Sequence, residues 1–260
     1  DVQSVRSIML ELEGILKGEL KNTCIDMEIY KEDCYCYILC NYSKENSHMF
    51  RKAVRYSIDQ INAKRFRLWD ARYSVAMGRD VECTEQLYES LDSCRRAMDN
   101  RLLEGGERLL DPPDEKNQFD YRELTEPYCR MLDKAFDLCD EKIVIESVEK
   151  FGTDILKIQN VTGEDILKTV ILVGTYVINT LQSEKTHDQL ILFRKKCGHC
   201  NSSEQLFELL ENTLLQVLQI KKQKFEDEER RPIRVAKQYM QNHYMEPITL
   251  ELVADRVGFN

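Results

Sequence analysis

The chain has 260 residues, 42% hydrophobic and 32% charged, with ten Gly and only five Pro, so it is long enough for one large domain or two small ones. A formal net charge of −9 excludes a surface that coats a polyanion, though not a local basic patch. The ten cysteines are irregularly spaced in a chain that needs no disulfide staples, so they read as buried free thiols of a reducing, cytoplasmic compartment.

The opening "DVQSVRSIMLELEG" has neither a basic head nor a small-residue cleavage site, so no signal peptide is expected in it. It also lacks a starting Met, which points to a fragment at this end. From Val2 to Leu20, apolar residues at Val5, Ile8, Leu12, Ile15 and Leu16 make a helical stripe. The period then shortens. "CIDMEIY" alternates Ile25, Met27 and Ile29 against polar positions, and "CYCYILC" follows a polar tip of Lys31, Glu32 and Asp33, predicting a β-hairpin. "MFRKAVRYSIDQINAKR" returns to helical spacing, and "WDARYSVAMG" reads as a strand ending at Gly78. A helix from about Thr84 to Leu103 precedes the "EGG" turn, giving the order α-ββ-α-β-α, with "DPP" at Asp111–Pro113 as a boundary.

Residues 119–225 carry helical stripes and no strand signal: Tyr121, Leu124, Tyr128, Leu132, Ala135; Val144, Val148, Phe151, Ile155; Ile166, Val170, Val173, Val177, Leu181; and Leu206, Leu210, Thr213/Leu214, Val217. The longest apolar run, Thr169–Leu181, is too short to cross a bilayer and reads as a buried helix. Phe207 and Leu218 broaden the last stripe, so that helix is expected to be buried on more than one side. "KKQKFEDEERR" reads as a solvated helix or linker. Pro232 then suits the first turn of a new helix with Ile233, Ala236, Met240 and Tyr244 on one face, which "MEP" ends. Thr249 is a natural N-cap, Glu251 stands in the first turn, and Leu250, Val253, Ala254 and Val257 form the expected buried face before Gly258. Small Ala254 permits a second helix to cross closely, the geometry of the first helix of a helix-turn-helix.

"RVAKQYMQNHYMEPITLELVADRVGFN" resembles the opening of the AraC-type DNA-binding domain, with Tyr244, Thr249, Leu250, Val253, Ala254, Gly258, Phe259 and Asn260 on the family's pattern. The resemblance implies that a recognition helix and a second helix-turn-helix follow, and that Thr249 and Asn260 belong to the DNA-reading part. Asn260 falls at the expected N-cap of that recognition helix, so the chain is expected to be a fragment at this end as well. From Arg230 onward, five basic residues face three acids, a surplus of two that supports only weak, easily screened phosphate contact. The chain by itself is therefore expected not to bind DNA specifically.

Val2 to Leu110 resembles a degenerate GGDEF (diguanylate cyclase-like) domain, chiefly through "YSVAMG" and "LYESLDSCRRAMDNRLLEGGERLL". "KEDCY" (Lys31–Tyr35) stands in the signature position, with Lys31 and Glu32 where backbone approach to a nucleotide needs glycine and Cys34 where the family has a metal carboxylate. The inhibitory Arg-x-x-Asp site also fails, since Thr23 lies three residues before Asp26. The resemblance places the family's first strand, with another metal Asp, before residue 1. No cyclase activity is expected: no catalytic, cofactor-binding or metal residue is assigned, and no cofactor.

"CGHC" (Cys197–Cys200) invites a thioredoxin-like reading, but two lysines precede it and no βαβ pattern surrounds it; Cys200 near a helix start would have a lowered pKa. Zinc lacks a second ligand pair. His48, His187, His199 and His243 are too scattered for a catalytic cluster.

The fold expected is α+β: a GGDEF-like α/β domain at 1–112 lacking its first strand, an all-α domain at 113–225 and the truncated start of a helix-turn-helix at 226–260. The function expected is non-enzymatic: a cytoplasmic signal-relay segment of a bacterial AraC-type regulator, of the two-component response-regulator kind. Its partners would be an upstream receiver or sensor domain, a second copy in a homodimer, and DNA only in the full-length protein, with no membrane contact. The alternatives are a non-catalytic nucleotide-sensing module and, distantly, a thiol oxidoreductase.

Overall fold

A computed structural model describes residues 2–32, 34–64, 72–113, 120–181, 186–244 and 248–257. The chain is mostly helical with short strands, and it divides into two compact units. The first comprises Asp1–Gln118 together with Asn160–Leu167 and Cys200–Gln205; the second comprises Phe119–Gln159, Lys168–His199 and Leu206–Asn260.

In the first unit α1 (Val2–Leu20) leads into the hairpin β1 (Asp26–Glu32) and β2 (Tyr35–Asn41), whose antiparallel register pairs Asp26 with Asn41 and Glu32 with Tyr35. The expected turn is shifted: Lys31 and Glu32 are still paired in β1, and Asp33 lies outside the described residues. Alternation gives the hairpin two unlike faces. Met27 and Cys40 turn toward α1 and α2 (Ser47–Ala63), where Leu20, Phe50, Val54 and Ile58 form the buried cluster. That cluster reaches only the hairpin's base, which is why Cys34 and Cys36 are exposed. Cys83 is exposed too, so the expectation of buried thiols fails at three positions.

The strand expected at "WDARYSVAMG" shrinks to β3 (Val75–Ala76), its first residues lying outside those described. It pairs in parallel with β4 (Leu109–Leu110), a strand that two residues of sequence do not announce. Between them come α3 (Leu87–Asp99) and the single turn α4 (Arg101–Glu104). Gly105 ends α4 at φ 79°, a conformation that glycine adopts without cost.

The second unit takes α5 (Tyr121–Leu138), α6 (Glu141–Leu156), most of α7 (Gly163–Asn179) and α8 (Thr186–His199), most of α9 (Ser203–Asn242), and α10 (Leu250–Val257). Asp120 and Asp140 cap α5 and α6 by accepting backbone N–H groups of their first turns. The stripes read from the sequence are the buried faces: Leu132, Ala135, Val144, Phe151, Val173, Leu210 and Leu214 are each at most 1% exposed. Helix α8 has no clean stripe, because Ile191 and Leu192 are exposed while Phe193 and Cys197 carry the buried side.

Two packing details can be checked. A Cβ on Gly174 would lie 2.3 Å from the Phe193 ring. Gly174→Ala is therefore expected to destabilise the protein by about 1–3 kcal/mol in urea denaturation, although Ala forms helix better by about 1 kcal/mol. Tyr128 donates its hydroxyl proton to Asp154 Oδ2 at 2.8 Å, and burial, reinforced by that carboxylate, pushes the phenol up to about 12. The unfolded chain loses this proton near pH 10 while the folded one keeps it, so stability falls as pH rises from about 10 to about 12. Tyr128→Phe should fall less steeply over that window in alkaline denaturation curves.

Candidate functional site

The C-terminal segment, α10, follows α9 in the chain. The sequence predicts a new helix starting at Pro232, yet α9 runs without interruption from Ser203 to Asn242, about 60 Å at 1.5 Å per residue. Proline removes one backbone donor from such a helix. Strong helix formers on both sides, "KKQKFEDEERR" before and "RVAKQ" after, carry the helix through. The helix expected to start at Pro232 is therefore a continuation of α9, and Leu206–Asn260 falls in the second unit.

Helix α9 ends with the His243 N–H donating to the Tyr239 carbonyl at 3.1 Å and their rings 4.6 Å apart. Thr249 then caps α10: its Oγ1 accepts the Leu252 N–H at 3.3 Å and its carbonyl accepts the Val253 N–H at 3.2 Å. The hydroxyl is thus engaged in building the helix. Asn260, Gly258 and Phe259 lie outside the described residues.

The face of α10 expected to be buried is covered only in part, and the Val257 side chain lies outside those described. Leu250 is 86% exposed, and Ile233, Met240 and Tyr244 are also open, while Ala236, Val253 and Ala254 are half-buried. No described residue covers the open side chains, so this end of the chain presents apolar side chains that a folded protein ordinarily packs.

At the hairpin tip, Lys31 pairs with Glu13 of α1, which also pairs with Lys17 at 2.7 Å. Hydrogen bonds from Lys17 and Lys31 hold the Glu13 carboxyl below its usual range. A shallow groove of about 400 Å³ lies here, lined by Glu13, Lys17, Lys31 and Met27–Tyr30. The lining holds two lysines, both paired with Glu13, and two glutamates, Glu13 and Glu28, so it carries no net positive charge to attract phosphate. Among the described residues no group of three or more His, Cys, Asp or Glu side chains is arranged to hold a metal ion. No described helix is long and apolar enough to cross a membrane.

The CGHC motif falls at the end of α8, with Cys197 in the last turn and Cys200 just beyond, both buried. The expected lowering of the Cys200 pKa is reversed. Burial pushes this thiol up, and Arg101 offsets that only in part.

Arg101 is the residue that sequence reasoning missed. Its side chain is 5% exposed, with Nε donating to the Cys200 carbonyl at 2.9 Å and Nη1 donating to the Met98 carbonyl at 2.9 Å and to Asp99 Oδ1 at 3.2 Å. Beside it, Asn100 Oδ1 accepts the Gly163 N–H at 3.0 Å. A Cβ on Gly163 would fall 1.9 Å from the Asp99 carbonyl oxygen, so only glycine permits this approach. Residues 160–167 and 200–205 thereby belong to the first unit although helices of the second unit flank them in sequence. "DNRLL" gives no local sign of this, because a buried guanidinium depends on carbonyls far along the chain.

Arg101→Met is expected to cost about 3 kcal/mol, since the Cys200 carbonyl and Asp99 lose a charged donor. Arg101→Lys should recover less than half of that, because one ammonium cannot reproduce the guanidinium fork. Urea denaturation of the two variants measures both quantities.

Comparison of the chain with protein-family models, curated proteins and solved structures finds no match.

Proposed function

We propose that this chain is the signal-relay and interaction segment of a bacterial AraC-type transcription regulator of the response-regulator kind, without enzymatic activity. The observation that carries the reading is that the Thr249-capped helix α10 follows, after a short connection, a single 40-residue helix whose first half is core. Leu206, Leu210, Leu214, Val217 and Leu218 bury that half. A displacement of α9 within its core is therefore carried along the same rigid rod to the base of α10. An upstream receiver or sensor would supply the displacement, and a second copy would bring two reading heads to paired half-sites.

The open apolar side chains at Ile233, Tyr244 and Leu250 support the same reading, since the first helix of a helix-turn-helix needs its second helix to cover it. The chain itself is a poor DNA ligand, with its overall charge of −9 and its weak basic surplus after residue 230.

The test compares residues 1–260 with the full product of the natural gene on promoter fragments at physiological salt. Sequence-dependent binding is expected of the full product and not of residues 1–260. Submicromolar specific binding by residues 1–260 would falsify the expectation that this chain alone is a poor DNA ligand, and no binding by either would remove the DNA reading altogether.

A further inference from the structure

The outward face of the hairpin has no place in that relay, and its chemistry is specific. The register puts Asp26, Glu28, Tyr30 and Glu32 of β1 on the same face as Asn41, Leu39, Tyr37 and Tyr35 of β2. The opposite face holds Met27 and Cys40 against the core and pairs Lys31 with Glu13, so the hairpin's only basic side chain points away.

Three tyrosines adjoin one another on the outward face. The Tyr30 and Tyr37 ring centroids lie 6.3 Å apart, and those of Tyr35 and Tyr37 lie 6.2 Å apart. Tyr30 is 63% exposed and Leu39 52%. Asp26, Glu28 and Glu32 are exposed and form no ion pair among the described residues. Arg101 is close enough to act on the Tyr35 phenol but is engaged by Asp99, and Lys17 and Lys31, which share a groove with Tyr30, are engaged by Glu13. This face therefore offers aromatic surfaces and carboxylates outside any ion pair of the described residues, with the nearby lysines already held by Glu13.

We propose that the outward hairpin face is a docking surface for an extended, arginine-bearing segment of a partner protein. A guanidinium stacks on a tyrosine ring while its N–H groups pair with a neighbouring carboxylate, a combination that an ammonium makes less well. Spacing supports an extended partner. Glu28, Tyr30 and Glu32 recur every second residue, about 7 Å apart, the repeat of alternate side chains on a partner strand. Arginines at alternate positions meet them in turn. The carboxylates exclude nucleic acid from the same face. The proposal stands apart from the DNA reading, and the failure of either leaves the other intact.

The test uses the whole chain and a fluorescein-labelled nonapeptide with arginine at alternate positions, followed by anisotropy at 0.15 M salt. A lysine version and a sequence with the arginines in one block serve as controls. Binding of the alternating arginine peptide at least five-fold tighter than either control is expected. Glu28→Lys/Glu32→Lys should weaken it at least twenty-fold, and Tyr30→Ser, at an exposed ring, several-fold. Glu149→Lys/Glu208→Lys changes net charge equally at exposed positions elsewhere and should leave binding unchanged. Equal weakening by both double variants, or equal affinity for arginine and lysine peptides, would show general acid–base attraction and overturn the proposal. So would the absence of binding, or a homodimer in light scattering that Tyr30→Ser dissociates, since a second copy would then be the occupant.

Discussion

An unbroken helix is the constraint on which the second unit depends. Over its first four turns α9 presents Leu206, Leu210, Leu214, Val217 and Leu218 to the core, and Phe207 lies edge-on to Phe151 with ring centroids 5.8 Å apart. The opposing helix has adapted to that ring. Gly152 sits where a Cβ would meet Phe207 at 3.2 Å. Farther along, Lys222 pairs with Glu141 at 2.9 Å and Lys224 donates to the Leu181 carbonyl at 2.9 Å, so charged and polar contacts continue where the apolar stripe fades. Beyond those contacts the same backbone continues with apolar side chains open to solvent. One element is thus core at one end and an uncovered surface at the other.

The first unit is held by a different device. Its strands are short and paired two by two, so sheet formation alone gives it little independent stability. Its cohesion comes from α1 and α2 closing over Leu20, Phe50, Val54 and Ile58, and from polar ties at the ends of the strands. Asp80 accepts hydrogen bonds from the Tyr42 and Ser47 hydroxyls, each at 2.7 Å, and Arg51 pairs with Asp111 at 2.6 Å. Arg101 and Asn100 then fasten two stretches from far along the chain by their backbone groups. Those bonds are made to main-chain atoms, so they specify position and conformation there rather than residue type, except at Gly163, where contact with the Asp99 carbonyl leaves no room for a side chain.

The C-terminal helix α10 and the hairpin were legible for different reasons. Thr249 was readable because an N-cap is a local arrangement, a hydroxyl three residues from the amide it accepts. The hairpin was readable because alternating burial imposes a period of two. Exposure was not readable in either place. Leu250 looks like a core residue in sequence and is the most open large hydrophobic among the described residues, while Arg101 looks like a surface residue and is nearly enclosed. Burial depends on what lies across from a side chain, and periodicity carries no record of that partner.

The sequence by itself determined where helices α5, α6 and α7 turn their apolar faces, that β1 and β2 pair, and that α10 begins after Thr249. Each follows from the spacing of residues a few positions apart, through side-chain burial and backbone capping. The tertiary structure alone decided that α9 passes through Pro232, that Cys200 is buried and its thiol pushed upward, and that residues 160–167 and 200–205 join the first unit. Those outcomes rest on contacts such as Asn100 with Gly163 and Arg101 with Cys200, 63 and 99 residues apart. Which donor meets which carbonyl at that separation is settled by packing of whole elements, a collective property that no local pattern contains.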